Sequence, residues 1–216
     1  AREIVEAAGD IPVICFGARH VHPLVAGRME YASIVGGCAG CASVEGARLA
    51  GRPPVGTMPH ALIICYGDTV AATIAFDRHM PPDVRRISLV DTFKDEAEES
   101  LRVARALKER LHGVRLDTPS ERGRVTVELV KEVRVRLDQA GFPWVDIVVS
   151  GGLDPERIRM FGEAGAPVVS FGVGHHISGA SPLDFTADLH EIEGMPIAKR
   201  GRIPGLTDNP HLKRVI

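Results

Sequence analysis

Residues 145–165 read VDIVVSGGLDPERIRMFGEAG, and this stretch decides the fold class. Val145–Val149 is an apolar run without clean alternation, the pattern of a strand covered on both faces. Asp154 is a helix-capping residue, Pro155 suits the first helical position, and Leu153 can staple onto Ile158. A buried strand that passes through two glycines into a capped helix is half of a βαβ unit.

Working outward, the same alternation recurs. Further apolar runs predict strands at 11–16 (IPVICF), 61–65 (ALIIC), 86–90 (RISLV), 113–116 (GVRL), 167–171 (PVVSF) and 187–192. Residues 94–111 place Ala97, Leu101, Ala104, Leu107 and Leu111 on one helical side. Acidic residues crowd the start of that helix and basic ones its end, as the helix dipole favours. Residues 124–140 repeat the pattern with Val125, Leu129, Val133 and Leu137, and Gly141 supplies a stop. Repeated strand–helix units with short connections predict a parallel α/β fold, as an open sheet or a barrel. The stretch HEIEGMPIAKRGRIPG (190–205) changes character: a strand, a Glu193-Gly194 turn, a second strand and a basic exit. The expected division is therefore an α/β core over 1–193 and an exit segment over 194–216.

The chain has 216 residues with 26 basic and 28 acidic side chains, a formal charge of −2. That balance excludes a nucleic-acid binder working by bulk charge. Hydrophobic residues at 44% and charged residues at 25% exclude disordered and collagen-like classes. No apolar run approaches the ~18–20 residues of a membrane span, and the helical, charged opening AREIVEAAGD does not read as a signal peptide. Four cysteines are too few for a disulfide scaffold. Cys15 and Cys65 sit in apolar runs and are expected as buried thiols. Cys38 and Cys41 form a CxxC with no aromatic or proline inside it and only His20 and His22 as conceivable partners for zinc. Small residues for tight packing is the simpler reading, and no metal ligand is assigned.

Polar and glycine residues collect just after the strand candidates, where α/β folds build their sites. FGARH follows the first, VDT follows RISL, DTPS follows GVRL, SGG follows DIVV, and FGVGHH ends the next. Ser150-Gly151-Gly152 and Gly172-Val173-Gly174 suit a phosphate, since glycines let backbone N–H groups approach an anion. Neither is a Walker loop or a dinucleotide fingerprint.

The ordered set FGARHVHP, GTMPHA, LVDTF, RLDTPSERG, SGGLD and FGVGHHI resembles the nicotinate phosphoribosyltransferase family, over about residues 10–205. RLDTPS is similar to the shorter archaeal and bacterial type. The resemblance implies an irregular or incomplete TIM-like (β/α) barrel of the type II phosphoribosyltransferase kind, with the family's N-terminal domain absent. It implies transfer of a phosphoribosyl group from phosphoribosyl diphosphate to nicotinate with Mg²⁺, in a cytoplasmic homodimer or larger homo-oligomer. ATP use is left open. Phe16 would face the pyridine ring and Arg19 hold its carboxylate, a task for a planar guanidinium. Arg115 and Asp117 would bind the phosphoribosyl group, and Asp91 would lie on the diphosphate–Mg²⁺ side. Either aspartate also suits a helix cap. His60 of GTMPHA matches the histidine that some relatives phosphorylate, with Thr57 beside it on the substrate. Ser150, Gly151, Gly152, Gly172, Gly174 and His175 would surround the phosphate. His20 and His175–His176 depart from the family's pattern, and Lys199–Arg200 resemble its basic exit strand. The rival is quinolinate phosphoribosyltransfer, which calls for more cations than Arg19 around the ring. A non-catalytic barrel is the third reading, against which Arg115, Asp117 and Asp91 all stand.

Overall fold

The computed structural model describes residues 1–210; the end of the expected exit segment, 211–216, lies outside them. Residues 1–180 form one compact unit, and a second begins at Ser181. In chain order the first unit holds α1 (Arg2–Ala8), β1 (Val13–Cys15), α2 (Pro23–Val35), β2 (Gly40–Cys41), α3 (Val44–Leu49), α4 (His60–Tyr66) and α5 (Thr69–His79). It continues with β3 (Ile87–Leu89), α6 (Glu96–Leu107), β4 (Gly113–Leu116), α7 (Val127–Gln139), β5 (Asp146–Ser150), α8 (Pro155–Glu163), β6 (Ser170–Val173) and α9 (His175–Ser178). Short 3-10 turns at Ala18–His20, Lys108–Arg110 and Ser120–Arg122 join these elements.

Among the described residues, the six strands form one parallel sheet in the order β2-β1-β6-β5-β4-β3. Read from β3, the order is 3-4-5-6-1-2, so the sixth strand closes onto the first and the only break lies between β2 and β3. A doubly wound sheet would reverse its order at a switch point. A cyclic order without reversal is that of a (β/α) barrel, here open where α3, α4 and α5 fill the connection. Because every strand runs the same way, all the strand C-termini meet at one edge.

Local chemistry accounts for most of the helices. Asp68, Asp95, Thr126 and Asp154 each cap a helix, accepting from Ala71 N, Glu98 N, Leu129 N and Arg157 N respectively. Leu153 and Ile158 are both buried in the main core, with Phe161, Phe171 and Leu116. No helix among the described residues is long and apolar enough to cross a membrane.

Several expectations need correction. Residues 61–65 are not a strand: they lie in helix α4, which Gly67 ends in the left-handed conformation at φ 70. Ile63 is fully buried while Ile64 is 60% exposed, the one-sided burial of a short helix. A run of this length has no periodicity that separates the two states. Cys65 is consequently exposed, whereas Cys15, Cys38 and Cys41 are buried and unpaired. The strand β2 carries no apolar run. It exists because Gly40 and Cys41 pair with Ile14 and Cys15. A Cβ at Gly40 would stand 3.0 Å from Val55 Cγ2. The strand expected at 187–192 shrinks to β7 (Glu191–Ile192), antiparallel to β8 (Met195–Pro196) in the second unit and outside the parallel sheet. Glu193 and Gly194 make its turn with φ of 50 and 79, as a two-residue hairpin requires. The division expected after Glu193 thus falls within this hairpin, while the compact units part after Ala180.

Two buried charges set the loops. Arg86 donates to the carbonyls of Asp77, Met80, Pro81 and Val84 and to the Asp77 carboxylate, tying the end of α5 to the start of β3. Glu30, fully buried on α2, accepts from Ala18 N at 3.2 Å and from Ser43 N at 2.5 Å. It thereby anchors the loops after β1 and β2. Glu30→Ala would strand two amides, at about 1–3 kcal/mol each. The expected outcome in urea unfolding is a loss of about 2–4 kcal/mol, with Glu30→Gln recovering roughly half through its amide oxygen.

Candidate active site

At the sheet's C-terminal edge, Asp91 lies two residues beyond β3, Asp117 directly follows β4, and Ser150 ends β5. His60 begins α4, which the long connection lays over the same edge. His60 Nε2 is 3.0 Å from Asp91 Oδ2, and its Nδ1 is 4.0 Å from Asp117 Oδ2. Arg115 Nη1 lies 3.8 Å from Asp117 Oδ2 and donates to Ser150 Oγ at 3.2 Å, while Nη2 donates to Met58 O at 2.9 Å. Ser150 Oγ in turn donates to Asp117 Oδ1 at 2.7 Å. One hydroxyl therefore accepts from the arginine and donates to the carboxylate. Ser150, expected at the phosphate, bridges those two side chains.

The Asp91 side chain is 1% exposed, against 23% for Asp117 and 41% for His60. Burial pushes the Asp91 carboxyl above the usual carboxylate range; His60 opposes that shift and the charge of Asp117 adds to it. Burial likewise lowers Arg115, with Asp117 and Asp91 opposing. Asp91 accepts from His60 and caps no helix; the cap of α6 is Asp95. Its Oδ1 is buried without a partner.

No metal ligand was expected from the sequence, yet the donor atoms of His60, Asp91 and Asp117 lie within 4.8 Å of one another. The signal was present only as three separate motifs. Two carboxylates, one with an unpartnered oxygen, fit a hard divalent cation such as Mg²⁺, which takes oxygen ligands and keeps part of its water.

Beside this network, β1 and β6 position Phe16, the residue expected to face the pyridine ring. Phe16 N donates to Val173 O at 2.8 Å. A Cβ on Gly172 would stand 2.4 Å from Phe16 Cε2 and 3.1 Å from Ser150 Cβ. Gly172 thus leaves space for the Phe16 ring beside Ser150. A Cβ on Gly174 would meet His20 Cε1 at 2.8 Å. His20 Nδ1 pairs with Ser178 Oγ at 3.0 Å, and its ring meets His175 edge-on with centroids 5.9 Å apart. Burial lowers the His20 pKa, helped by the charges of Arg19 and His175. Arg19 is exposed and has no ion pair among the described residues. Thr57 is exposed in the extended segment before α4. Gly151 and Gly152 take φ of 92 and 60, a turn open only to glycine at low cost. Lys199 and Arg200 lie in the second unit.

A parallel barrel arc with this constellation on its C-terminal edge defines the class: an α/β barrel of the type II phosphoribosyltransferase kind. A family model described as "Quinolinate phosphoribosyl transferase, C-terminal domain" matches residues 1–188, and the chain belongs to that family. The relatives it resembles bear out the likeness carried by the six motifs. The chain is 34% identical to the nicotinate phosphoribosyltransferase pncB2 of Mycobacterium tuberculosis, across 90% of this chain and 42% of that protein. The nicotinate phosphoribosyltransferase of Bacillus subtilis is 28% identical over 81% of this chain and 35% of its own length. Among solved structures, nicotinate-nucleotide pyrophosphorylase from Pyrococcus furiosus superposes with a TM-score of 0.85 at 47% identity, covering 95% of this chain and 52% of that one. Human nicotinic acid phosphoribosyltransferase shares the fold, with a TM-score of 0.63 at 21% identity over 80% of this chain and 45% of its own. The chain spans about half the length of these proteins or less.

The raised Asp91 carboxyl has a consequence for stability. Its folded pKa exceeds its unfolded one, so the penalty for the buried charge is absent below the unfolded value and complete above the folded value. Asp91→Asn removes that penalty. At neutral pH its thermal midpoint should rise by about 2–4 °C, as ~1 kcal/mol does in a domain of this size. The gap to wild type should close as pH falls through the folded pKa of Asp91, measured by thermal unfolding at a series of pH values.

Proposed function

We propose that this protein transfers a phosphoribosyl group from phosphoribosyl diphosphate to nicotinate, giving nicotinate mononucleotide and diphosphate. The observation that carries the reading is the Asp91–His60–Asp117–Arg115–Ser150 network, with the Phe16 ring beside Ser150 at one end. The names of the relatives support the same substrates.

The pyridine nitrogen is already a nucleophile and needs no strong base. A C–N bond forms at the anomeric carbon as the C–O bond to diphosphate breaks, with the electron pair leaving on diphosphate. Positive charge builds on the ribose in between. Asp117, held by Arg115 and Ser150 and part open to solvent, supplies a fixed carboxylate for that charge. Phe16 offers a face to the ring and Arg19 an unpaired guanidinium to its carboxylate. Asp91 and Asp117 would hold Mg²⁺, which neutralises charge on the leaving diphosphate when bound. His60 lies with Nε2 3.0 Å from Asp91 Oδ2 and Nδ1 4.0 Å from Asp117 Oδ2. A neutral ring protonated on Nε2 would leave Nδ1 as the nucleophilic nitrogen that phosphoryl transfer from ATP would use.

Incubation with nicotinate, phosphoribosyl diphosphate and Mg²⁺ should release diphosphate. Turnover of quinolinate with none of nicotinate would replace this reading by the decarboxylating reaction. Asp117→Ala should lower kcat by about 10²–10³-fold, the scale of losing one transition-state charge contact, while the circular-dichroism spectrum stays unchanged. Activity within a few-fold of wild type would remove Asp117 from the mechanism.

A further inference from the structure

The parallel ladder between β3 and β4 stops short of the two aspartates it delivers. Leu89 stands opposite Arg115, and the backbone bond nearest that end runs from Val90 N to Arg115 O at 3.2 Å. Asp91 and Asp117 lie beyond it, on segments that no backbone hydrogen bond joins among the described residues. Their donor atoms and those of His60 nevertheless sit within 4.8 Å of one another. Burial pushes the Asp91 carboxyl up and the charge of Asp117 adds to that push, so the two groups repel. Side chains must therefore hold the two segments together.

Apart from His60, the side chains that do so meet at Glu96. This residue opens α6, one position after the cap Asp95 and at the end of the loop that carries Asp91. Its side chain is 2% exposed. Oε1 accepts from Thr118 Oγ1 at 2.6 Å and from Arg122 Nη1 at 3.1 Å, and Oε2 accepts from Arg122 Nη2 at 3.3 Å. Thr118 is itself buried and directly follows Asp117; Arg122 ends the 3-10 turn Ser120–Arg122 of the same loop. Glu96 thus grips the loop after β4 at two points from the element that closes the loop after β3. A buried ion pair is weak evidence for stability, because drying the charges offsets their attraction. What this one supplies is geometry: the contact nearest to Asp117 is a short bond between two buried side chains.

We propose that Glu96 is a positioning residue that sets the separation of Asp91 and Asp117, through the Thr118 hydroxyl and the Arg122 guanidinium, for one divalent cation shared by the two carboxylates. The proposal rests on the transfer reading only for the assignment of Asp91 and Asp117 as the metal pair. Ser150 and Arg115 hold the Asp117 carboxylate from the β5 side and from its own strand. Glu96 holds the Asp117 loop from the Asp91 side. Groups that place metal ligands from outside the coordination set govern affinity, and losing one costs about 10–100-fold.

The test is titration of Mn²⁺, a paramagnetic stand-in for Mg²⁺ that takes the same oxygen ligands, into the 216-residue chain without substrates, followed by electron paramagnetic resonance. Thr118→Val removes the hydroxyl at constant charge and should weaken Mn²⁺ by about 10-fold. Thr118→Ser keeps the hydroxyl and should stay within about two-fold of wild type. Glu96→Ala removes both ties and should lose at least as much as Thr118→Val; where it does not fold, the Thr118 pair decides. Thr73→Val is the control, since Thr73 Oγ1 is a buried hydroxyl bonded at 2.7 Å to Ser88 Oγ and to Thr69 O. It should lower the thermal midpoint and leave Mn²⁺ affinity unchanged. Equal Mn²⁺ affinity in wild type and Thr118→Val, or no Mn²⁺ bound by either, would overturn the proposal. So would a loss that serine does not recover, or one that Thr73→Val matches, which would make Thr118 a structural residue. Nicotinate turnover by wild type is scored separately: its absence, with Mn²⁺ still weakened in Thr118→Val, would sink the transfer reading and leave the role of Glu96 standing.

Discussion

The register of β4 against β5 is the constraint on which the rest of the site depends. Leu116 stands opposite Val149, so Asp117 and Ser150, one step further along, emerge side by side at the strand ends. A slip of one residue would turn each side chain to the other face of the sheet. In the observed register, the Ser150 hydroxyl accepts a hydrogen bond from Arg115 and donates one to Asp117. A buried cation and a part-buried anion are thus held at 3.8 Å without closing on each other. That spacing leaves the second oxygen of Asp117 facing His60 and the open side of the cluster.

Around this pair the barrel arc distributes charge by depth. Asp91 is sealed and its carboxyl pushed upward; Asp117 is part open; Arg19 and Arg124 are accessible cations without carboxylate partners. Other arginines have structural duties. Arg86 satisfies carbonyls at the end of α5, and Arg122 neutralises Glu96. Despite a net charge of −2, the chain leaves Arg19 exposed and without an ion pair among the described residues. Unusual backbone collects beside the same strand ends: positive-φ glycines at 151 and 152, and a left-handed arginine at 124.

The buried strands and capped helices were legible because their signals are local. Apolar runs mark β3, β4 and β5, and Asp154-Pro155 marks the start of α8. Where the signal is not local, the reading failed. The run 61–65 is equally apolar as strand or helix, and only the tertiary environment, burying Ile63 and exposing Ile64, makes it helical. The strand at Gly40–Cys41 owes its existence to pairing with β1 and to space beside Val55, neither visible in two small residues.

The sequence by itself determined the fold class and the strand-end edge at which Asp91, Arg115 and Asp117 stand, because strand hydrophobicity and strand-end polarity are written along the chain. Tertiary structure alone decided which of those residues touch. It made Ser150 the link between Arg115 and Asp117, and it brought His60 to 3.0 Å from Asp91 across thirty-one positions. The physical reason is that hydrogen bonds and ion pairs act over a few ångströms. Only the closure of β6 onto β1, and the helices folded into the gap between β2 and β3, bring distant motifs within that reach.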